Sequence, residues 1–195
     1  LATLGLILAL GIVLFLHGRF ASLVGWGSKA KTPAPTTLAE MEKVTPTALQ
    51  LATFKYFLAA TLLFGLQILA GVLTVHNFLG LHSILGFNIS DYLPLTAVRG
   101  WHLQLAVLWV TACWVGGSIF LISTLTKEAP KGQLFLVNLL FWVFVLMVVG
   151  NLTGVLLGPQ GYFGDYWNEL GNQGWEFVEM GKVWQYVLMG ILILW

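Results

Sequence analysis

Long apolar runs separated by shorter polar segments dominate the sequence. Each run is compatible with a membrane-spanning helix of about 20 residues. The pattern therefore predicts an all-α, polytopic transmembrane bundle of about five spanning helices. Because both ends of the chain lie within apolar runs, we expect it to be an internal piece of a longer protein. The runs cover Leu1–Leu16, about Thr53–Val75, about Arg99–Leu125, about Gln133–Leu157, and a segment from Lys182 to Trp195.

The polar segments between the runs predict the orientation of the chain in the membrane. Residues 17–52, which include the extended stretch KTPAPTT, and the turn at 125–132 carry lysine or arginine, whereas loops 76–98 and 158–181 are acidic. Cytoplasmic loops carry an excess of lysine and arginine. We therefore expect 17–52 and 125–132 to be cytoplasmic, and residue 1 and the acidic loops to lie outside a multi-pass protein of the cell (inner) membrane.

Composition and charge support a membrane class and exclude others. The chain is 58% hydrophobic and 9% charged, and nine tryptophans suit the interfacial belts of membrane proteins. A net charge of +1 without a basic run argues against nucleic-acid binding. The single cysteine, Cys113, excludes a disulfide framework and a cysteine zinc site within this chain.

The stretch RGWHLQLAVLW places a histidine and an arginine at the outer end of the third run, where lipid makes polar groups costly. The neutral imidazole of His102 could bind a haem iron. Arg99, about one turn away, could then donate a hydrogen bond to a haem propionate. Alternatively, His102 is an interfacial histidine that reaches toward water beside Arg99. The residues alone leave both interpretations open.

Further candidate residues lie at the same outer end. His76 could donate a hydrogen bond to a quinone carbonyl or pass a proton to water, or could be an ordinary interfacial residue, as we expect of His82. In LGNQGWEFVEMGKVWQ, Glu176 and Glu179 would share a face at the start of a helix. They could bind a hard cation such as calcium, relay protons, or simply complement the helix dipole.

Small and polar residues within the fourth run predict helix contacts. Gly150 and Gly154 form a GxxxG pattern, which allows close approach of a neighbouring segment. Asn138 and Asn151 are expected to hydrogen-bond to a neighbouring helix, and Asn151 could instead contact a cofactor.

Four stretches taken together, RGWHLQLAVLW, EAPKGQLFLVNLLF, LGNQGWEFVEMGKVWQ and LQILAGVLTVH, resemble the quinol-dependent nitric oxide reductases. These are the single-chain branch related to haem–copper oxidase subunit I, and the likeness covers roughly residues 50–195. The resemblance implies a linking transmembrane helix at 1–24 and a cytoplasmic linker at 25–52. Residues 53–195 would form the N-terminal part of a longer haem–copper oxidase-like catalytic domain.

The resemblance also implies roles for individual residues. His102 matches the axial ligand of the low-spin haem b, and Arg99 would lie near its propionates. Glu176 matches a ligand of a calcium ion that bridges the propionates. Glu179 matches a residue of the outer polar region where protons enter, and His76 matches the quinol site.

In that family, electrons pass from quinol through the low-spin haem to a high-spin haem b and a non-haem iron, where nitric oxide is reduced to nitrous oxide. The ligands of that binuclear centre would come from helices outside this chain, which would therefore not catalyse the reaction alone. Expected partners are membrane lipid, quinol (menaquinol or ubiquinol) and nitric oxide, with a homodimer possible. The implied cofactors in this part are low-spin haem b and calcium.

Two positions depart from the family pattern and keep an alternative open. The quinol reductases carry a glutamate four residues after the histidine of the quinol site and an aromatic residue four positions later. Gly80 and Ile84 occupy these positions here. The alternative is therefore a nitric oxide dismutase relative with a degenerate quinol site. A non-redox membrane protein is the alternative from another class, although the carboxylates here lie in loops or at helix ends, away from the membrane midplane.

Overall fold

The computed structural model describes residues 45–76, 78–125, 130–171 and 179–195, together with four helical residues nearer the start, Gly11, Ile12, Phe15 and Arg19. The chain divides into two compact units, Leu1–Thr45 and Pro46–Trp195. The rest of the first apolar run and most of the linker at 25–52 lie outside the described residues. The elements below all belong to the second unit.

The described part of the second unit is helical and contains no strand. Three short 3-10 helices occupy the loops, at Ile89–Asp91, Gly158–Gln160 and Gly164–Tyr166. The six α-helices are α1 (Ala48–Thr74), α2 (Leu81–Leu85), α3 (Leu95–Leu125), α4 (Gln133–Leu157), α5 (Trp167–Leu170) and α6 (Lys182–Leu194).

Helices α1, α3 and α4 are each long and apolar enough to cross a membrane. Helix α6 is also apolar, but its 13 residues would extend only about 20 Å. The prediction of an all-α bundle is confirmed for the described residues. The predicted bounds of α4 and the predicted start of α6 agree with the structure, whereas α1 and α3 begin earlier than the apolar pattern indicates.

Helix α1 begins early because its first turn is capped. The side chain of Thr47 accepts a hydrogen bond from the backbone N–H of Gln50 (3.2 Å), and the Gln50 side chain accepts one from the N–H of Thr47 (2.8 Å). This reciprocal arrangement satisfies two of the N–H groups that every helix start leaves without a partner. The cap therefore fixes the helix start several residues before the strongly apolar stretch.

The three long helices alternate in direction. Tyr56, near the start of α1, donates a hydrogen bond to the carbonyl oxygen of Val137, near the start of α4 (2.7 Å). At the opposite end of the bundle, Trp101 near the start of α3 donates to the carbonyl of Leu152 near the end of α4 (2.8 Å). Helix α3 therefore runs antiparallel to both α1 and α4, and side chain to backbone hydrogen bonds join α4 to α1 and to α3 near the two ends of the bundle.

Glycines set how closely the helices approach. A Cβ on Gly116 of α3 would lie 2.8 Å from the Cβ of Tyr56 on α1. On α4, a Cβ on Gly150 would collide with the indole of Trp184, and one on Gly154 with the carbonyl oxygen of Leu170. The predicted packing role of the GxxxG pair is therefore confirmed. These contacts position α5 and α6 against α4.

Candidate functional site

His102 lies in the first third of α3 and faces the end of α1. Its Nδ1 is 2.9 Å from the backbone carbonyl oxygen of Gln67. A carbonyl oxygen can only accept, so this contact requires Nδ1 to carry the proton. The neutral ring then has its lone pair on Nε2, the nitrogen that remains able to bind a metal.

The ring of His102 fits against a gap in the side chains of α1. A Cβ on Gly71 would lie 2.9 Å from Cε1 and 3.0 Å from Nδ1 of His102. Glycine at this position lets the ring approach the helix backbone and reach the carbonyl of Gln67. The Gln67 side chain is held in turn, because the indole N–H of Trp109 donates to its Oε1 (2.7 Å).

This arrangement fits an axial haem ligand. Metal-binding histidines almost always donate their other ring N–H to a carbonyl, carboxylate or water, which fixes the tautomer and the ring orientation. The Gln67 carbonyl meets that requirement, although the same bond would also satisfy a histidine that binds no metal. The haem role of His102 itself stays a prediction.

Arg99, one turn before His102, forms an ion pair with Glu179. The Arg99 side chain is 58% exposed and that of Glu179 only 10%, so the pair joins the surface to the interior. A guanidinium has five N–H donors, which leaves Arg99 able to meet a propionate as well. The sequence did not indicate this pair, because 80 positions separate its members.

Glu179 does not lie on a helix, contrary to the expectation that it shares a helical face with Glu176. Helix α6 begins only at Lys182, and Glu179 has a φ of 54°, in the left-handed region. Glu176 lies outside the described residues, so its predicted calcium role is untested. Among the residues that the structure describes, no three His, Cys, Asp or Glu side chains come together as a metal-binding group.

A buried amide pair adjoins Glu179. The Nε2 of Gln104 donates to the backbone carbonyl of Glu179 (2.8 Å), and the Nδ2 of Asn151 donates to Oε1 of Gln104 (2.8 Å). The prediction that Asn151 bonds to a neighbouring helix is confirmed. The role of Gln104 was missed, because no local pattern distinguishes it from a lipid-facing or surface glutamine.

His76 lies just beyond the end of α1 and is almost fully buried, with 2% exposure. Its Nδ1 donates to the carbonyl of Leu73 (2.5 Å), and its Nε2 lies 3.1 Å from both Oδ1 of Asn88 and Oγ of Ser90. Both ring nitrogens therefore contact the chain itself. The predicted quinol role of His76 stays untested. His82 is exposed, as expected of an interfacial residue.

Comparison with known proteins adds one finding. The model of the family described as "Cytochrome C and Quinol oxidase polypeptide I" matches residues 51–195, which include α1 to α6 except the first turn of α1. Comparison with curated proteins gave no match. The matched region contains His102 and every hydrogen-bond partner described above for the site.

Proposed function

The chain belongs to the family of cytochrome c and quinol oxidase polypeptide I, the haem–copper oxidase subunit I family, and from that premise we propose that it is part of a quinol-dependent nitric oxide reductase. The family consists of membrane-bound oxidoreductases that bind haem. The choice of nitric oxide as substrate rests on the resemblance of RGWHLQLAVLW and LGNQGWEFVEMGKVWQ to the reductases.

The hydrogen bond between His102 Nδ1 and the Gln67 carbonyl is the observation that carries the haem part of the proposal. With Nδ1 engaged, Nε2 of His102 would be the nitrogen that binds the iron of a low-spin haem b, and that haem would supply one-electron transfer when bound. Arg99 would provide a positive charge for a propionate. Glu176 would contribute to a calcium site, and a high-spin haem b and non-haem iron would complete the reductase.

At the same outer end, the chain would handle protons and quinol. Glu179 is a buried carboxylate that is paired with the surface-exposed Arg99. This position suits a group that takes up protons from the outer side. His76 would contact a quinol oxygen, and to do so it would have to exchange one of its present partners, Asn88 or Ser90. The protein would lie in the inner membrane, with residues 17–52 and 125–132 facing the cytoplasm.

A second candidate is a relative of nitric oxide dismutase. It is favoured by residue 80, because the quinol reductases carry a glutamate at this position. Gly80 occupies it here with a φ of 65°, a left-handed conformation that costs a residue with a side chain about 1 kcal/mol or more. Ile84, at the position of the aromatic residue, is 78% exposed. The backbone conformation at position 80 therefore favours glycine over the glutamate of the quinol reductases.

The deciding experiment uses the intact, purified membrane protein, isotope-labelled nitric oxide and mass spectrometry of the gases, with and without reduced quinol. Nitrous oxide formed only with quinol supports the reductase. Dinitrogen and oxygen formed without a donor support the dismutase, and no gas product under either condition contradicts both. His76→Ala should abolish quinol-dependent turnover, and unchanged turnover would show that His76 is not in the quinol site.

The haem assignment is tested separately by optical and EPR spectra of the same preparation. His102→Ala should remove the low-spin haem component, whereas His82→Ala, which changes an exposed histidine, should leave it unchanged. A low-spin signal that persists in His102→Ala would exclude His102 as the ligand.

A further inference from the structure

Glu179 is held in a backbone conformation that it would not adopt unaided. Its φ of 54° is the only positive value at a non-glycine residue among the described residues, and such conformations cost of order 1–3 kcal/mol unless the surroundings compensate. The carboxylate lies close to α3 at Gly100, where an added Cβ would be 3.2 Å from Oε2 of Glu179. Some neighbouring group must therefore stabilise this turn.

The direction of the hydrogen bonds around Glu179 follows from its backbone carbonyl. That oxygen can only accept, so Gln104 must present its NH2 group, and its Oε1 must face Asn151. Asn151 must then donate, which leaves its own Oδ1 as a buried acceptor without a partner among the described residues. The amides thus form a chain with one allowed orientation, running from Asn151 through Gln104 to Glu179.

Burial makes this chain of amides energetically demanding. Gln104 and Asn151 are each 0% exposed, and an unsatisfied buried amide group costs about 1–3 kcal/mol. Loss of either residue would leave a donor or acceptor of the next one unpaired. A free Oδ1 on Asn151 also suits a bound water, which would complete the set of hydrogen bonds.

A simpler role, that of connecting α3 to α4, does not require Gln104. Trp101, three positions earlier on α3, already donates to the carbonyl of Leu152 on α4 (2.8 Å). What Gln104 adds is its bond to the carbonyl of Glu179. Gln104 and Asn151 therefore act mainly on the segment before α6.

We propose that Gln104 and Asn151 are positioning residues for Glu179: they hold its backbone in the left-handed turn so that its carboxylate stays on Arg99. Asn151 acts through Gln104 by fixing the orientation of the Gln104 amide. The inference rests on the proposed function only where it assigns proton uptake to Glu179. The placement of the carboxylate is independent of the reaction.

Infrared difference spectroscopy of the intact protein tests the placement directly. Glu179→Gln identifies the carboxylate band of Glu179 by its loss. Gln104→Met, which keeps the length of the side chain without its amide, should shift or broaden that band, and Asn151→Leu should do so less. Asn138 lies on α4 like Asn151 but at the other end of the bundle, so Asn138→Leu should leave the band unchanged. A band that is unchanged in Gln104→Met would overturn the proposal.

Kinetics separates this inference from the proposed function. Gln104→Met should lower kcat by about tenfold or more, since a misplaced proton-transfer group loses much of its contribution, with KM for quinol unchanged. The double variant Gln104→Met/Glu179→Gln should be no slower than Glu179→Gln alone, whereas additive losses would contradict an action through Glu179. A shifted band with normal turnover would uphold the positioning and exclude Glu179 from proton uptake.

Discussion

Gly71 is the residue on which the orientation of the His102 ring depends most directly. The ring lies against the α1 backbone at this glycine, and its Nδ1 reaches the Gln67 carbonyl one turn earlier. Any side chain at position 71 would occupy space that the imidazole fills. The sequence showed that His102 could bind a metal, but not which nitrogen is available, because that depends on the partner across the helix interface.

Gly71→Ala should therefore disturb the haem ligand without removing it. The new Cβ would lie 2.9 Å from Cε1 of His102, closer than real Cβ contacts, so the ring must shift and its bond to Gln67 must lengthen. We expect a smaller low-spin haem fraction, measured by optical and EPR spectra. Gly65→Ala, on the same helix with nothing within 4 Å, is the control. Identical spectra for the two variants would contradict the described contact.

Helices α4, α5 and α6 meet at one backbone carbonyl group. Gly154 faces the carbonyl oxygen of Leu170, and that oxygen also accepts a hydrogen bond from the indole of Trp184 on α6 (2.8 Å). The backbone of α5, the aromatic side chain of α6 and the glycine of α4 thus meet at one point. A change at Gly154 would act on all three elements.

Gly154→Ala should lower stability, because its Cβ would collide with the Leu170 carbonyl, a backbone group that cannot rotate away. Overpacking of this kind costs about 1–3 kcal/mol. The expected result is a lower apparent Tm in detergent. Gly117→Ala on α3, where nothing lies within 4 Å of the new Cβ, should leave the Tm nearly unchanged. An equal Tm for both variants would argue against this packing.

Across the whole second unit, the alternating directions of α1, α3 and α4 agree with the alternation that lysine and arginine predict. His102 and the Arg99–Glu179 pair lie at one end of the bundle, and the bond from Lys55 to Asn138 lies at the other. The helices also expose large apolar side chains, as lipid contact requires. Which end is cytoplasmic is still a prediction from charge.

Labelling with a membrane-impermeant maleimide tests that orientation in intact cells. The background is a variant of the intact protein without cysteines, in which Cys113 is replaced by Ala. Phe78→Cys and Tyr162→Cys, at side chains that are 92% and 71% exposed, should react from outside. Pro130→Cys, at an exposed position in the turn before α4, should react only after permeabilisation. The reverse pattern would invert the predicted topology.

The helices and their order can be predicted from the amino-acid sequence, because both follow from local properties. The apolar runs predicted the approximate bounds of α4 and the start of α6, and the charged loops predicted the alternation. The sequence also singled out His102, Arg99, Glu179 and His76 as the polar groups whose place near lipid needs a reason. The apolar run alone placed the start of α1 several residues late, since that start depends on the Thr47 cap and not on hydropathy.

Which of these groups meet depends on how the helices pack against one another. The long helices are apolar on all sides, so their sequences do not show which face turns toward which neighbour. That rotation is set by close contacts at glycines such as Gly71 and Gly154. The Gln67 carbonyl at His102, the pairing of Arg99 with Glu179 and the bond from Gln104 to the turn at Glu179 all depend on that rotation, because their partners are far apart in the chain.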